Sequence, residues 1–152
     1  MREPARRYRS GAGSVTSGIS GCPSGRRNGT SVTGRAIVSA APRLFEGRLP
    51  DFNLGTADDA SCDPGLSRAL LAALQRHSGH TAVLNGRFKG GYITRRLGRP
   101  AEGVHAVQLE MAQCLYMEEK APYAYREDLA NRIKPVLREQ LELAKKWAEG
   151  EA

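Results

Sequence analysis

A carboxylate inside an apolar run is costly to bury unless it is paired or put to work, and Glu110 is such a residue. It lies near the end of VHAVQLEM (Val104 to Met111). Strand alternation puts Gln108 and Glu110 on one face and His105, Val107 and Leu109 on the other. The end of a sheet strand is where α/β folds seat ligands, so Glu110 is a candidate functional residue. The alternative is a salt bridge to a nearby arginine. Upstream, Arg87, Lys89, Arg95, Arg96 and Arg99 put five cations into 13 residues, broken by Gly86, Gly90, Gly91 and Gly98. Such a segment suits the gripping of a carboxylate or phosphate, with glycines allowing close backbone approach. The alternative is a solvated basic loop. GRFKGG lacks the residue order of a nucleotide-binding P-loop.

The remaining chemical side chains read as structural. His77 and His80 flank a turn and are expected at the surface. His105 is expected as a hydrogen-bonded core residue. No histidine pair brackets a carboxylate at helical spacing, so no zinc-protease motif is present. Cys22, Cys62 and Cys114 are three cysteines with no short spacing. That excludes a disulfide framework and a CxxC metal site, and fits a reducing compartment. Cys114 has no neighbouring histidine and reads as a packed thiol.

These residues need elements to hold them. Leu66, Ala69, Leu70, Ala73, Leu74 and His77 follow a helical repeat, with Asp63 as N-cap, Pro64 in the first turn and Ser78-Gly79 at the end. Thr81 to Leu84 and Val104 to Met111 read as buried strands. The Gly- and Arg-dense segment between them reads as a polar loop. Leu129, Ile133, Val136, Leu137, Leu141, Ala144 and Trp147 predict one long C-terminal helix, kinked or interrupted near Pro135. Residues 42–64, with three prolines and no helical period, read as an ordered loop. The fold class is α/β, with a partial mixed sheet flanked by helices; two evident strands are few for a complete sheet.

The chain has 152 residues and a net charge of +7, and the charge is uneven. Residues 1–36 carry seven arginines against Glu3 alone; residues 37–152 are nearly balanced. Residues 1–36 are also rich in Gly and Ser, too poor in apolar surface to offset chain entropy, and are expected to form a flexible tail. The same Arg/Gly/Ser/Pro mixture would come from an out-of-frame reading of a GC-rich gene. A tail of this kind could bind nucleic acid through phosphates, but the scattered arginines and the single Tyr8 favour a solvated tail. No run of 18 apolar residues and no signal-peptide core is present, so no membrane partner is expected and the cytoplasm is the expected location.

The motifs PRLFEGRLPDFNLGT, ASCDP, NGRFKGGYITR, GRP and GVHAVQLEMAQ resemble the C-terminal part of the N-formylglutamate deformylase (amidohydrolase) family, from about residue 37 to 147. The resemblance implies a fold like the zinc carboxypeptidases, here incomplete on its N-terminal side. It implies hydrolysis of the dicarboxylate N-formyl-L-glutamate to formate and L-glutamate, the last step of one histidine degradation route. It implies Glu110 as general base and acid, taking a proton from zinc-bound water and returning it to the leaving amine. Arg87 and Arg95, with Lys89 behind them, would hold the substrate carboxylates.

The chain departs from the family in two places. Family members carry Asp-Ala-His-Ser before the PRLF motif, and here Arg35 stands where that histidine would be. Residues 1–36 contain no histidine, so the zinc or similar divalent metal of the family is not expected to be bound by this chain, and no metal ligand is assigned. Arg96-Leu97 replaces the family's frequent His-Tyr. The leading expectation is therefore a hydrolase-type segment without activity of its own, residues 37–152 being the family portion. The rivals are a nucleic-acid binder acting through the tail and a non-catalytic remnant. An incomplete sheet would leave unpaired edges, so self-association is expected.

Overall fold

The computed structural model describes residues 47–151 in full and the backbone of residues 29–37. Four strands form one sheet in the order β1-β4-β2-β3. The elements in chain order are β1 (Gly29–Ile37), β2 (Phe52–Gly55), α1 (Pro64–Arg76), β3 (Ala82–Leu84), α2 (Tyr92–Leu97), β4 (Val104–Ala112) and α3 (Glu127–Glu149). Strand β4 runs parallel to β1 and antiparallel to β2, and β2 runs parallel to β3. The mixed sheet flanked by helices expected from the sequence is therefore present, with two more strands than were evident.

Both extra strands correct the sequence reading. Residues 29–36 were assigned to the tail but belong to β1, paired along its whole length with β4 from Gly29 beside Val104 to Ile37 beside Ala112. Thr30, Val32, Thr33 and Ile37 are β-branched residues, which suit a strand. The rest of the expected tail, residues 1–28, lies outside the described residues. β2 was read as loop because four residues, Phe52-Asn53-Leu54-Gly55, are too few to show alternation. All four are buried, so both faces are covered. The segment between β3 and β4, read as loop throughout, contains the six-residue α2 and a single 3-10 turn at Pro100–Glu102.

Helix α1 matches its signals. The Asp63 carboxylate accepts from the Gly65 N–H at 2.6 Å, Pro64 opens the first turn, and Leu66, Leu70, Ala73 and Leu74 are buried. Helix α3 runs unbroken through Pro135, where a kink or an interruption was expected. Its buried stripe is Ala130, Ile133, Val136, Gln140 and Ala144, so Gln140 takes the place expected for Leu141, which is 59% exposed.

The core joins Phe52 and Leu54 of β2, Leu66, Leu70 and Leu74 of α1, Val107 and Leu109 of β4, and Ile133 and Val136 of α3. Each large apolar side chain buried there contributes roughly 1.5–3 kcal/mol. Val107 and Leu109 face this core, so the alternate residues Gln108 and Glu110 face the other side, where α2 packs against β4. The sheet thus separates an apolar layer from a polar one. The described helices include none long and apolar enough to cross a membrane.

Candidate active site

Glu110 lies in the interior of the sheet. Its register neighbours are Asn53 on β2 and Arg35 on β1, and it is 1% exposed. A carboxylate so buried must be hydrogen-bonded or paired to be tolerated. Gln108 Nε2 donates a short hydrogen bond to Glu110 Oε1. The other end of the Gln108 amide, Oε1, accepts from the Gly91 N–H at 2.6 Å and more distantly from the Thr94 hydroxyl at 3.4 Å. One side chain therefore connects the carboxylate to the start of α2, the helix that carries Arg95.

The basic loop between β3 and α2 is pinned to β2 by two asparagines. Asn53 binds the Phe88 backbone at both ends: its Nδ2 donates to the Phe88 carbonyl at 2.5 Å, and its Oδ1 accepts from the Phe88 N–H at 3.3 Å. Asn85 does the same to Thr56, accepting from its N–H and donating to its hydroxyl, both at 2.8 Å. The Ala57 N–H reaches the Lys89 carbonyl at 2.5 Å. The loop lies so close to β2 that a Cβ on Gly55 would fall 2.5 Å from the Gly90 nitrogen. Gly90 itself has φ +108°, a conformation that favours glycine. The Asn and Gly residues of NGRFKGG thus have a backbone-packing reason.

The cations are exposed on this framework. Lys89 Nζ meets both carboxylate oxygens of Asp58 at 2.9 Å. Such an exposed pair is worth about 0–1 kcal/mol and yields readily to a competing carboxylate. Arg95 folds back so that its guanidinium donates to the Gly90 carbonyl at 2.6 Å, bringing it to the same loop as Lys89. Arg87 and Arg96 are exposed. Arg99 is committed to a local pair with Glu102 and stands apart from the group.

A sequence profile of the family described as N-formylglutamate amidohydrolase matches residues 27–117. The chain belongs to the N-formylglutamate amidohydrolase family. The match begins ahead of residue 37, so it takes in β1 as well as the basic loop and Glu110. The chain is 58% identical over 112 residues to the N-formylglutamate deformylase of Pseudomonas aeruginosa, covering 74% of this chain and 42% of that protein. Identity to the N-formylglutamate deformylase of Pseudomonas putida is 54% over the same length and coverage. The crystal structure of N-formylglutamate amidohydrolase from Ralstonia eutropha JMP134 superposes with a TM-score of 0.60 at 30% identity, covering 79% of this chain and 41% of that one. The chain thus spans about two-fifths of the length of these relatives.

Among the described residues no three His, Cys, Asp or Glu side chains stand close enough together to hold an ion. His105 is buried on the core side of β4, where its Nδ1 accepts from the Asp63 N–H at 3.2 Å, the structural role expected of it. His77 was expected at the surface; it is half-buried and joins α1 to α3 through Glu139, Nε2 to Oε2 at 2.6 Å. His80 packs edge-on against Phe52. Burial, with Asp63 and Asp59 nearby, pushes the Cys62 thiol up to about 12, so it is inert as a nucleophile. Cys114 is half-buried and accepts from Arg48 at 3.5 Å.

Sequence reading singled out Glu110 and the cations as candidates but not Asn53, Asn85 or the hydrogen bonding of Gln108. The available signal was the concentration of Asn and Gly in DFNLGT and NGRFKGG, two segments that meet in space.

Proposed function

We propose that this chain supplies the proton-transferring carboxylate and the substrate-holding cations of an N-formylglutamate deformylase, which hydrolyses N-formyl-L-glutamate to formate and L-glutamate. The observation that carries the reading is the link from buried Glu110 through Gln108 to the segment bearing Arg95. Arg87 and Arg95 hold the two substrate carboxylates by charge-assisted hydrogen bonds, and Lys89 exchanges Asp58 for a substrate oxygen. Glu110 takes a proton from the attacking water and gives it to the leaving nitrogen as the amide C–N bond breaks. The described residues do not fit a divalent metal, so in this reading any metal is held by residues outside them. In this reading the reaction is the last step of one histidine degradation route, carried out in the cytoplasm.

The test has two stages. Calorimetric titration of the chain with L-glutamate should show binding that Arg87→Ala or Arg95→Ala weakens by about 10-fold, the worth of one charge-assisted contact. Joining the chain to the part of the Pseudomonas aeruginosa relative outside the match should give formate release. In that form Glu110→Gln should lower kcat by about 100-fold or more with KM little changed. Binding indifferent to both arginines, or near-normal kcat in Glu110→Gln, would overturn the assignment.

A further inference from the structure

We infer that Gln108 is a positioning residue for Glu110, fixing the direction of its carboxylate and tying that direction to the segment that carries Arg95. The inference rests on the role of Glu110 proposed above. A backbone N–H can only donate, so the Gln108 atom facing Gly91 at 2.6 Å is its carbonyl oxygen. That choice leaves the amide nitrogen facing Glu110 Oε1, and the side chain is not free to flip. Gln108 is 6% exposed, Thr94 1% and Glu110 1%, so water competes little for these bonds. Gly91 allows the approach, since a Cβ there would lie 3.1 Å from Gln108 Oε1. Asn53, opposite Glu110 on β2, commits both ends of its amide to Phe88 and does not share the task. A primary amide neither ionises nor takes the substrate's proton, so Gln108 acts through Glu110.

Gln108→Glu separates this role from packing. It keeps an oxygen for Gly91 and Thr94 but replaces the N–H facing Glu110 with a second carboxyl; Gln108→Leu loses both bonds without adding a charge. In the form that releases formate, Gln108→Glu should lower kcat by about 10-fold or more while KM for N-formyl-L-glutamate stays within about 3-fold. A packing role would lower the melting temperature and leave kcat intact, and a binding role would raise KM alone; either result overturns the inference. A second measurement needs no turnover. In 1H–15N spectra of the full chain, the Gln108 side-chain amide, assigned by its loss in Gln108→Glu or Gln108→Leu, should shift on Glu110→Gln. Gly91 amide exchange should stay slow in Gln108→Glu and accelerate in Gln108→Leu. A Gln108 amide indifferent to Glu110→Gln overturns the inference. Absence of formate release in every form would instead sink the deformylase reading, and the spectra would still decide whether Gln108 holds Glu110.

Discussion

Gly55→Ala adds one methyl group at the closest approach of the basic loop to the sheet. The new carbon would lie 2.5 Å from the Gly90 nitrogen, 2.8 Å from the Lys89 carbonyl carbon and 3.0 Å from the Gly90 Cα. Carbon atoms in contact normally sit about 3.5–4.0 Å apart, so the overlap is close to an ångström. All three obstructing atoms are backbone, and Gly55 belongs to a strand paired on both sides, so neither party swings away. The loop must lift. Lifting stretches the Ala57–Lys89 backbone bond and the Asn53–Phe88 pair. Overpacking costs about 1–3 kcal/mol and each of the three weakened hydrogen bonds about 0.5–1.5 kcal/mol, so the total is about 2.5–7.5 kcal/mol. For a chain of this size, 1 kcal/mol moves the midpoint by about 2–4 °C, which gives a fall of roughly 5–30 °C. Thermal unfolding by circular dichroism reads this directly. L-Glutamate affinity should fall with it, since Lys89 and Arg95 both lean on the displaced loop. A midpoint within about 2 °C of the parent would show that the loop does not rest on β2 as described.

Gln140→Leu should stabilise the fold, because both ends of this buried amide lack a hydrogen-bond partner. Removing that penalty is worth about 1–3 kcal/mol in urea unfolding, and a loss of stability would contradict the placement of α3. Glu139 is held below its ordinary carboxyl range first by His77 and then by Arg76, so its contribution is present above the ordinary value of 4.5 and disappears as pH falls below it. The stability gap between the parent and Glu139→Gln, about 0.2–1 kcal/mol after solvent screening, should therefore exist at pH 6 and shrink as pH falls below 4.5; a gap widening in acid reverses the sign and refutes the linkage. Iodoacetamide at pH 8 should label Cys114 in the native chain and reach Cys62 only after unfolding, as mapped by mass spectrometry.

The sequence was most informative where a residue's environment is set by its near neighbours. Helix α1 announced itself through Asp63, Pro64 and its leucine spacing, and β4 through an apolar run longer than a turn. β1 and β2 were hidden for opposite reasons. One shares the Gly, Ser and Thr content of the residues before it, so its sequence shows no apolar alternation; the other has both faces covered and only four residues to show it. In α3 the stripe was legible but its exact rotation was not, since Gln140 and Leu141 exchange roles through packing against α1 and the sheet. Glu110 was legible because a charge in an apolar run is conspicuous. Asn53 and Asn85 were not, because their partners are Phe88, 35 residues away, and Thr56, 29 residues away. Side chains that bind distant backbone leave no local pattern.

The strand order also bears on how the chain assembles. Phe52 pairs with Ala82, 30 residues on, so β2, α1 and β3 form a comparatively local unit. Phe52 pairs with Met111 and Gly29 with Val104, separations of 59 and 75 residues. Entropy favours the shorter closure, each doubling of loop length costing about 0.6 kcal/mol more, and long-range pairing is slow. The cation-bearing loop is therefore anchored on an early nucleus, while β4 docks afterwards between β2 and β1. During synthesis the order is the same, since β4 is the last strand to leave the ribosome. In that order the segment carrying Lys89 and Arg95 rests on β2 before Glu110 arrives beside it.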